Sequence, residues 1–234
     1  MKKNFSSKKS AFSLIELSIV LIIIGLLIAG ITGGASLIKS SEMRSVMGEA
    51  RGYSVAVNAF FTQFDALPGD ISIATGSVNN ITGNANGQIQ YGTGEGVDAW
   101  FDLRNTGAID NTLTYLAISG AQAPGTNIPG SKVKSAGWAF DYNSTTTFNV
   151  VVLTGTTVAA DATNTLVNGT IKSSVAITAA DAASIDSKAD NGIANSGNIQ
   201  GINVTGTDCF NGTAYSVANS GKRCPLQFRV DVSS

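Results

Sequence analysis

The sequence contains no histidine and few charged residues, which make up 13% of its 234 positions. Without histidine, neither a Ser-His-Asp triad nor a Cys-His nucleophile pair can be built. The glycine-rich run Gly92–Gly96 is not followed by the Lys-Ser/Thr of a phosphate-binding loop. We therefore predict no enzymatic activity and no cofactor.

What the chain does have is one long apolar run near its start, Ala11–Ile38, interrupted by a single acid, Glu16. The part from Leu17 to Ile38 carries no charge. As a helix it would be about 33 Å long, enough to cross a bilayer core of about 30 Å. The run therefore predicts insertion into a membrane.

Four lysines precede the apolar run, at positions 2, 3, 8 and 9. Positive charge beside a membrane helix stays on the cytoplasmic side, so the rest of the chain should face outward. A secretory signal would have a shorter apolar core with its small-residue cleavage site after that core. Here the small residue, Ala11, stands before the core and is followed directly by Phe12.

This arrangement resembles the type IV pilin and pseudopilin family, in which a short basic leader is cut off ahead of a hydrophobic helix. The resemblance is carried by Ala11 before the cut, Phe12 after it and Ser13–Leu17, with Glu16 fifth in the mature chain. It implies that a prepilin peptidase removes residues 1–11 and methylates the Phe12 amine, and that Glu16 sets helix registry during assembly. The chain departs from the family pattern in having alanine where glycine is usual before the cut, and in lacking an early helix proline.

A physical role for Glu16 can be given independently of the resemblance. A charge inside a membrane costs a few kcal/mol and tends to be kept only with a partner or a function. After cleavage the Phe12 amine would lie four residues before Glu16, about one helical turn away. Glu16 could then neutralise its own terminus or that of a neighbouring subunit. The alternative is a carboxylate that snorkels to the membrane interface.

Apolar residues recur at spacings of three and four beyond Ile38, which predicts that the same helix continues to Phe64 with one apolar face. Leu67–Asp70, with the sequence LPGD, should end it, because proline cannot continue a helix. We predict local unwinding at Gly30–Gly34 in a filament, because glycine weakens a helix interior. The apolar face comprises Met43, Val46, Met47, Ala50, Tyr53, Val57, Phe60, Phe61 and Phe64, and the polar remainder comprises Lys39, Glu42, Arg44, Glu49 and Arg51.

The rest of the chain predicts an α+β head, in which the long helix packs on one face of a small antiparallel sheet. Turn residues separate short strands and two short helices, and consecutive strands favour antiparallel hairpins. The predicted helices are Glu95–Asn105 and Thr178–Ala189, the latter opened by a capping box at Thr178–Asp181. The predicted strands are Gly137–Tyr142, Phe148–Thr154, pieces of Thr165–Ile177, Ile199–Val204 and Leu226–Val232.

The only two cysteines, Cys209 and Cys224, lie near the C-terminus. Outside the cytoplasm such a pair favours a disulfide, whereas a zinc site would need further ligands. The resemblance agrees, because many type IV pilins close a C-terminal loop with a disulfide. No metal site is predicted.

Asp186 and Asp190 invite a calcium site but do not have the spacing of one. We interpret Asp186 and Asp190 as a solvated helix face and a helix stop. Asp65 and Asp70 are interpreted as caps of the local backbone around the proline turn.

The chain is therefore read as a leader (1–11), a transmembrane and assembly half of the helix (12–39) and a globular head (40–234). The predicted function is that of a structural subunit of a type IV pilus-like filament. Its expected partners are other copies of itself, prepilin peptidase, the inner-membrane assembly machinery and, before assembly, membrane lipid. Leader removal takes away four of 15 basic side chains and none of 16 acidic ones. The mature chain is thus acidic, and no nucleic-acid partner is predicted.

The predicted location is the inner membrane, with an outward-facing head, and then a pilus or a periplasmic pseudopilus. Two alternatives stay open at this point. One is a pseudopilin of a type II secretion system. The other is a binding domain that the helix merely anchors to the membrane.

Overall fold

The computed structural model describes residues 13–71, 83–91, 94–110, 123–156, 174–204, 207–230 and 232. Ala11, Phe12 and most of the Thr165–Ile177 region lie outside the described residues. The helices and strands, in chain order, are α1 (Leu14–Phe64), α2 (Glu95–Asn105), β1 (Ala136–Asn143), β2 (Phe148–Gly155), β3 (Ile177–Thr178), α3 (Ala179–Ala189), β4 (Ile199–Gly201), β5 (Phe210–Asn211), β6 (Ala214–Tyr215), β7 (Lys222–Cys224) and β8 (Leu226–Arg229).

The chain forms two compact units, one ending at Ser41 and the other beginning at Glu42. In the first unit, α1 is helical throughout, including Gly30–Gly34. A Cβ added at Gly30 or Gly34 would meet nothing within 4 Å. The predicted unwinding concerns an assembled filament and stays a prediction.

In the second unit, α1 ends at Phe64, as the sequence predicts. Gly69 then adopts a positive φ of 79°. A Cβ at Gly69 would collide with the backbone carbonyl oxygen of Glu95. The LPGD turn therefore needs glycine at this position, both for its backbone conformation and for the close approach of α2.

The sheet of the second unit has four antiparallel strands in the order β1-β2-β8-β4. Strands β1 and β2 form the predicted hairpin, in register from Ala136 opposite Gly155 to Asn143 opposite Phe148. Strand β8 pairs with β2 on one side and β4 on the other, so two strands near the C-terminus complete the sheet. These features confirm the predicted α+β layout of a long helix and a small antiparallel sheet.

The two faces of the sheet bury different sets of side chains, because successive residues of a strand point to opposite faces. The inner face holds Trp138 and Phe140, together with Val151, Leu153, Leu226 and Phe228, and belongs to the main core. The outer face has a small apolar cluster of its own, formed by Phe148, Val150, Val152 and Ile202. The inner face contacts α1, since the rings of Tyr53 and Trp138 lie 5.7 Å apart.

Helix α3 begins as predicted. The Thr178 hydroxyl oxygen accepts a hydrogen bond from the backbone N–H of Asp181 at 3.1 Å. It also donates to the Asp181 carboxylate at 2.7 Å. A threonine cap satisfies an N–H that the first turn of a helix leaves without a partner.

Candidate processing and assembly site

Helix α1 begins with a reciprocal cap formed by Ser13 and Glu16. The Glu16 Oε2 atom accepts a hydrogen bond from the Ser13 backbone N–H at 2.8 Å. The Ser13 Oγ atom accepts a longer one, 3.4 Å, from the N–H of Ile15. A serine followed three residues later by a glutamate is the capping box of helix N-termini. In the sequence, Ser13 directly follows Phe12, the residue predicted to carry the new amine.

The first unit leaves its large apolar side chains exposed. From Leu14 to Ile38 their exposed fractions range from 46% for Ile24 to 86% for Leu14. Among the described residues, α1 is the one helix long and apolar enough to cross a membrane, judged by length and composition. An apolar surface of this extent needs lipid or other protein to cover it.

In the second unit, Glu49 holds α1 against the hairpin. Its Oε2 atom accepts hydrogen bonds from the Trp138 ring N–H and the Ser131 hydroxyl, both at 2.7 Å. Its Oε1 atom accepts one from the backbone N–H of Lys132 at 3.1 Å. Glu49, predicted to belong to the polar remainder of α1, is thus half-buried and hydrogen-bonded to the hairpin and the loop before it. A signal did exist, because Glu49 lies three residues after Val46 and four before Tyr53, both on the apolar face.

The rings around Glu49 form a chain of edge and stacked contacts. Tyr53 lies edge-on to Trp100 with ring centroids 4.8 Å apart, and Trp100 stacks on Phe140 at 4.1 Å. Burial, and secondarily the charge of Glu49, raise the pKa of Tyr53 well above its usual value. Tyr53 therefore stays a neutral phenol at physiological pH.

The predicted disulfide between Cys209 and Cys224 is present, and both cysteines are fully buried. It closes a loop that contains the small β5-β6 hairpin and ends in β7. Strand β7 pairs with β3, so the bridge also ties the loop to the start of α3. The disulfide therefore fixes an otherwise peripheral segment to the core.

Asp186 is buried, which corrects its interpretation as part of a solvated helix face. Its Oδ2 atom accepts a hydrogen bond from the Tyr215 hydroxyl at 2.8 Å, and its Oδ1 atom accepts one from the Gly192 N–H at 2.9 Å. Burial raises the pKa of Asp186, and these two hydrogen bonds partly offset that rise. The carboxylate thus links α3 to the disulfide loop through Tyr215.

Asp190 does end α3, as predicted, and it also organises the loop that follows. Its Oδ2 atom accepts hydrogen bonds from the N–H groups of Asn198 at 2.6 Å and Ile199 at 2.9 Å. The described residues contain no group of three or more His, Cys, Asp or Glu side chains that could hold a metal ion.

The acids of α2 and the LPGD turn also serve backbone groups. Asp102 Oδ2 accepts a hydrogen bond from the Gly69 N–H at 2.7 Å, an anchor that sequence patterns did not indicate. Asp70 accepts bonds from the N–H groups of Asn86 and Gly87, so it caps a distant loop and not the local turn. Carboxylates here replace regular secondary structure as partners for loop N–H groups.

Asp98 differs from these acids. Its Oδ2 atom is buried and has no hydrogen-bond partner among the described residues. Burial raises the pKa of Asp98 to about 7, and the neighbouring charges of Asp102 and Glu95 add to the rise. Asp98 is therefore a carboxyl group whose charge changes near neutral pH.

Comparison with known proteins identifies the N-terminal segment. Residues 6–32 match the family model described as the prokaryotic N-terminal methylation motif. No curated protein matches the chain, and no solved structure matches it. The chain thus carries the prepilin-type cleavage signal of type IV pilins and pseudopilins at residues 6–32.

The motif and the apolar helix together define a membrane-anchored protein with a prepilin-type N-terminus. More particularly, the matched segment supports a type IV pilin-like or pseudopilin-like substrate of prepilin peptidase. Pilins form a structural, non-enzymatic family.

Proposed function

We propose that this chain is a structural subunit of a type IV pilus-like filament. It is inserted in the inner membrane with its head outside the cytoplasm, and prepilin peptidase cuts it between Ala11 and Phe12. The new Phe12 amine is methylated. The helix is then extracted into a bundle of like helices, in which apolar side chains of neighbouring subunits replace lipid.

The observation that carries the proposal is the exposed apolar surface of the first unit directly behind a prepilin-type signal. No partner within the described residues covers this surface, and the second unit has a buried core of its own. A helix of this kind is stable in lipid or among copies of itself. After cleavage, the filament would surround the apolar helix with copies of itself.

Glu16 supports the assembly step in particular. In the unprocessed chain its carboxylate binds the Ser13 N–H. Cleavage would create a positive amine at Phe12, the next residue towards the N-terminus. A carboxylate already held at this end of the helix can pair with that amine or with the amine of the adjacent subunit. This pairing would select the register in which subunits join.

The experiment is to shear filaments from cells of the native host, image them by electron microscopy and identify their protein by mass spectrometry. The expected main component begins at Phe12 with a methylated amine. An Ala11→Leu variant, which enlarges the small residue before the cut, should accumulate unprocessed in the membrane and form no filaments. Recovery of mature protein still carrying residues 2–10 would contradict the proposed cleavage site.

The pseudopilin alternative is distinguished by location. A pseudopilin of a type II secretion system would be found in short periplasmic assemblies, and its deletion would stop the export of secreted proteins. The loop closed by Cys209 and Cys224 favours the pilin, since many type IV pilins have such a loop. Mature protein that is abundant in the envelope but absent from every filament would instead favour an anchored binding domain.

A further inference from the structure

The outer face of the sheet carries a groove of about 440 Å³ that assembly through α1 does not explain. Five amide side chains line it, and the described residues of its lining include no charged side chain. Two threonines, Thr145 and Thr146, also line it, and Ile202 and Phe210 supply apolar surface. The amides are those of Asn143, Asn195, Gln200, Asn203 and Gln227.

Three of these amides form a chain of hydrogen bonds across the sheet. The Asn143 Nδ2 atom donates to Gln227 Oε1 at 3.0 Å, and Gln227 Nε2 donates to Gln200 Oε1 at 2.9 Å. Gln200 Nε2 then donates to the backbone carbonyl of Gly197 at 3.0 Å. Gln227 and Gln200 stand directly opposite each other in the β8-β4 pairing. The register of the strands therefore fixes their orientation.

Two of the amides that line the groove, Gln200 and Gln227, keep hydrogen-bonding capacity beyond this chain. A side-chain amide can donate two hydrogen bonds and accept two. The bonds described use one donor and one acceptor position each on Gln227 and Gln200. Asn143 and Gln227 are each only 5% exposed, so their amides are held in place by packing. Asn143 Oδ1 already accepts from the N–H groups of Thr145 and Thr146, and Asn203 exchanges two hydrogen bonds with the Phe210 backbone. The unused donors and acceptors of this hydrogen-bonded set therefore belong mainly to Gln200 and Gln227.

The chemistry of the lining restricts the ligand. Among the described residues that line the groove, a phosphate or carboxylate would find no positive side chain, and a cation would find no carboxylate. A purely apolar ligand would bury the amides without partners, which is costly. What fits is a neutral molecule with many hydroxyl groups and an apolar ring face that can lie against Phe210 and Ile202. Pockets of this size accommodate small ligands.

We propose that this groove is a binding site for neutral carbohydrate, with room for one or two sugar units. Adjacent hydroxyls of a sugar ring match the paired donor and acceptor of an amide, and the C–H face of the ring matches the aromatic surface. The site lies entirely in the second unit and makes no use of α1. The binding proposal can therefore be tested independently of filament assembly.

The test uses the full mature chain in phosphatidylcholine nanodiscs, because detergents with sugar headgroups would compete for the groove. The probes are a printed panel of neutral mono-, di- and trisaccharides built from glucose, galactose, mannose, N-acetylglucosamine and N-acetylgalactosamine. Sulfated and sialylated glycans on the same panel serve as charged probes. The strongest neutral glycan is then titrated in solution by saturation-transfer NMR.

Two variants disturb the groove in different ways, and one serves as a matched control. Gln200→Leu removes a half-buried amide, and Thr145→Trp adds a large side chain at an exposed residue of the lining. The only described bond from Thr145 to the amide chain is made by its backbone N–H to Asn143, which the substitution keeps. Gln63→Leu makes the same side-chain change as the first variant at an exposed site on α1. Near-ultraviolet circular dichroism checks that each variant keeps its folded aromatic core.

We expect a neutral glycan to bind, with at least a tenfold loss in both Gln200→Leu and Thr145→Trp and less than a twofold change in Gln63→Leu. Three results would overturn the proposal. They are no binding to any neutral glycan of the panel, equal or stronger binding of the charged probes, and unchanged binding in folded forms of both groove variants.

Discussion

The two compact units differ in how far the apolar side chains of α1 are exposed, although this one helix begins in the first unit and ends in the second. Before Ser41 its large apolar residues are 46–86% exposed, whereas Val46, Val57 and Phe60 in the second unit are at most 3% exposed. The difference lies in the available partners. The second unit supplies a sheet and α2 to cover the helix, while no described residue covers the apolar side chains of the first.

The same contrast applies to the acids of the helix. Glu16 and Glu49 both accept hydrogen bonds, but Glu16 serves the start of its own helix and Glu49 serves a tryptophan and a loop far along the chain. The first acid is therefore expected to act between molecules and the second within one. The predictions below test this division.

The largest effect is expected for Glu16→Ala, which should nearly abolish filaments while membrane-bound monomer accumulates. In a dry helix bundle an amine without its carboxylate is an unpaired buried charge, and losing one partner of such a pair costs about 3–5 kcal/mol. That cost recurs at every subunit added. Immunoblots of membrane fractions and electron microscopy of sheared material measure the two outcomes.

Glu16→Gln separates charge pairing from helix capping. Glutamine keeps a carbonyl oxygen for the Ser13 N–H, so the helix start should survive, but it cannot neutralise an amine. We expect this variant also to lack filaments. Normal filament numbers in Glu16→Gln would contradict pairing between the Glu16 carboxylate and the Phe12 amine. The role of Glu16 would then be helix capping alone.

A smaller loss, confined to the second unit, is expected when the disulfide is removed. Replacing both Cys209 and Cys224 with serine should lower the free energy of unfolding by about 3 kcal/mol, because the bridge closes a loop with a sequence separation of 15. Urea unfolding of the full chain, followed by tryptophan fluorescence, measures this. Membrane insertion should not change, since the apolar run is untouched.

Glu49→Ala should destabilise the second unit by about 2 kcal/mol. It leaves the ring N–H of the fully buried Trp138 without an acceptor, and such a donor costs about 1–3 kcal/mol. Gln63→Ala, at an exposed position of the same helix, is the matched control. If Glu49→Ala unfolds at the urea concentration of the control, Glu49 does not hold the helix to the hairpin.

The stability of the second unit should fall as pH rises from about 4 to about 7. In this range Asp98 is protonated when folded and ionised when unfolded, because its pKa rises from 3.8 to about 7 on folding. The folded state then binds more protons, so raising the pH favours unfolding. The raised pKa of Asp102 acts in the same direction.

Asp98→Asn isolates that contribution. We expect it to flatten the pH dependence and to raise stability at pH 8 by about 2 kcal/mol, since one pKa unit corresponds to about 1.4 kcal/mol and neighbouring groups relax. Urea midpoints at pH 5, 6, 7 and 8 measure both effects. If the stability of Asp98→Asn falls with pH as steeply as that of wild type, Asp98 is not the source of the pH dependence.

The smallest effect is expected for Gly30→Ala in the unassembled chain. Alanine should stabilise the helix there by about 1 kcal/mol, and its Cβ meets nothing within 4 Å. Hydrogen exchange in nanodiscs measures this as slower exchange around residues 30–34. In the filament, a map with continuous helical density at these residues would contradict the predicted unwinding.

Much of the fold was predictable because local chemistry decides it. The LPGD turn ends α1, the threonine cap starts α3, and alternating apolar residues give the β1-β2 hairpin. The bounds of α2 agree with the prediction, although its N-cap is a glycine with no side-chain bond. In each case a few neighbouring residues contain the whole signal.

Long-range partners were not predictable in this way. Nothing near Glu49 in the sequence indicates that Trp138 will donate to it, and nothing near Asp186 indicates Tyr215. The placement of β8 between β2 and β4 likewise depends on which strands meet in three dimensions. At the N-terminus the cleavage residues could be proposed from sequence because a peptidase reads a local motif.

The loop closed by the buried bridge between Cys209 and Cys224 contains both anchoring and exposed residues. Val217 and Asn219 are exposed, while the two cysteines and Tyr215 are buried and hold the loop to the core. Doubling the length of a flexible loop costs only about 0.6 kcal/mol. An insertion near Asn219 should therefore cost little in folding free energy, which makes this exposed stretch suitable for displaying an inserted peptide.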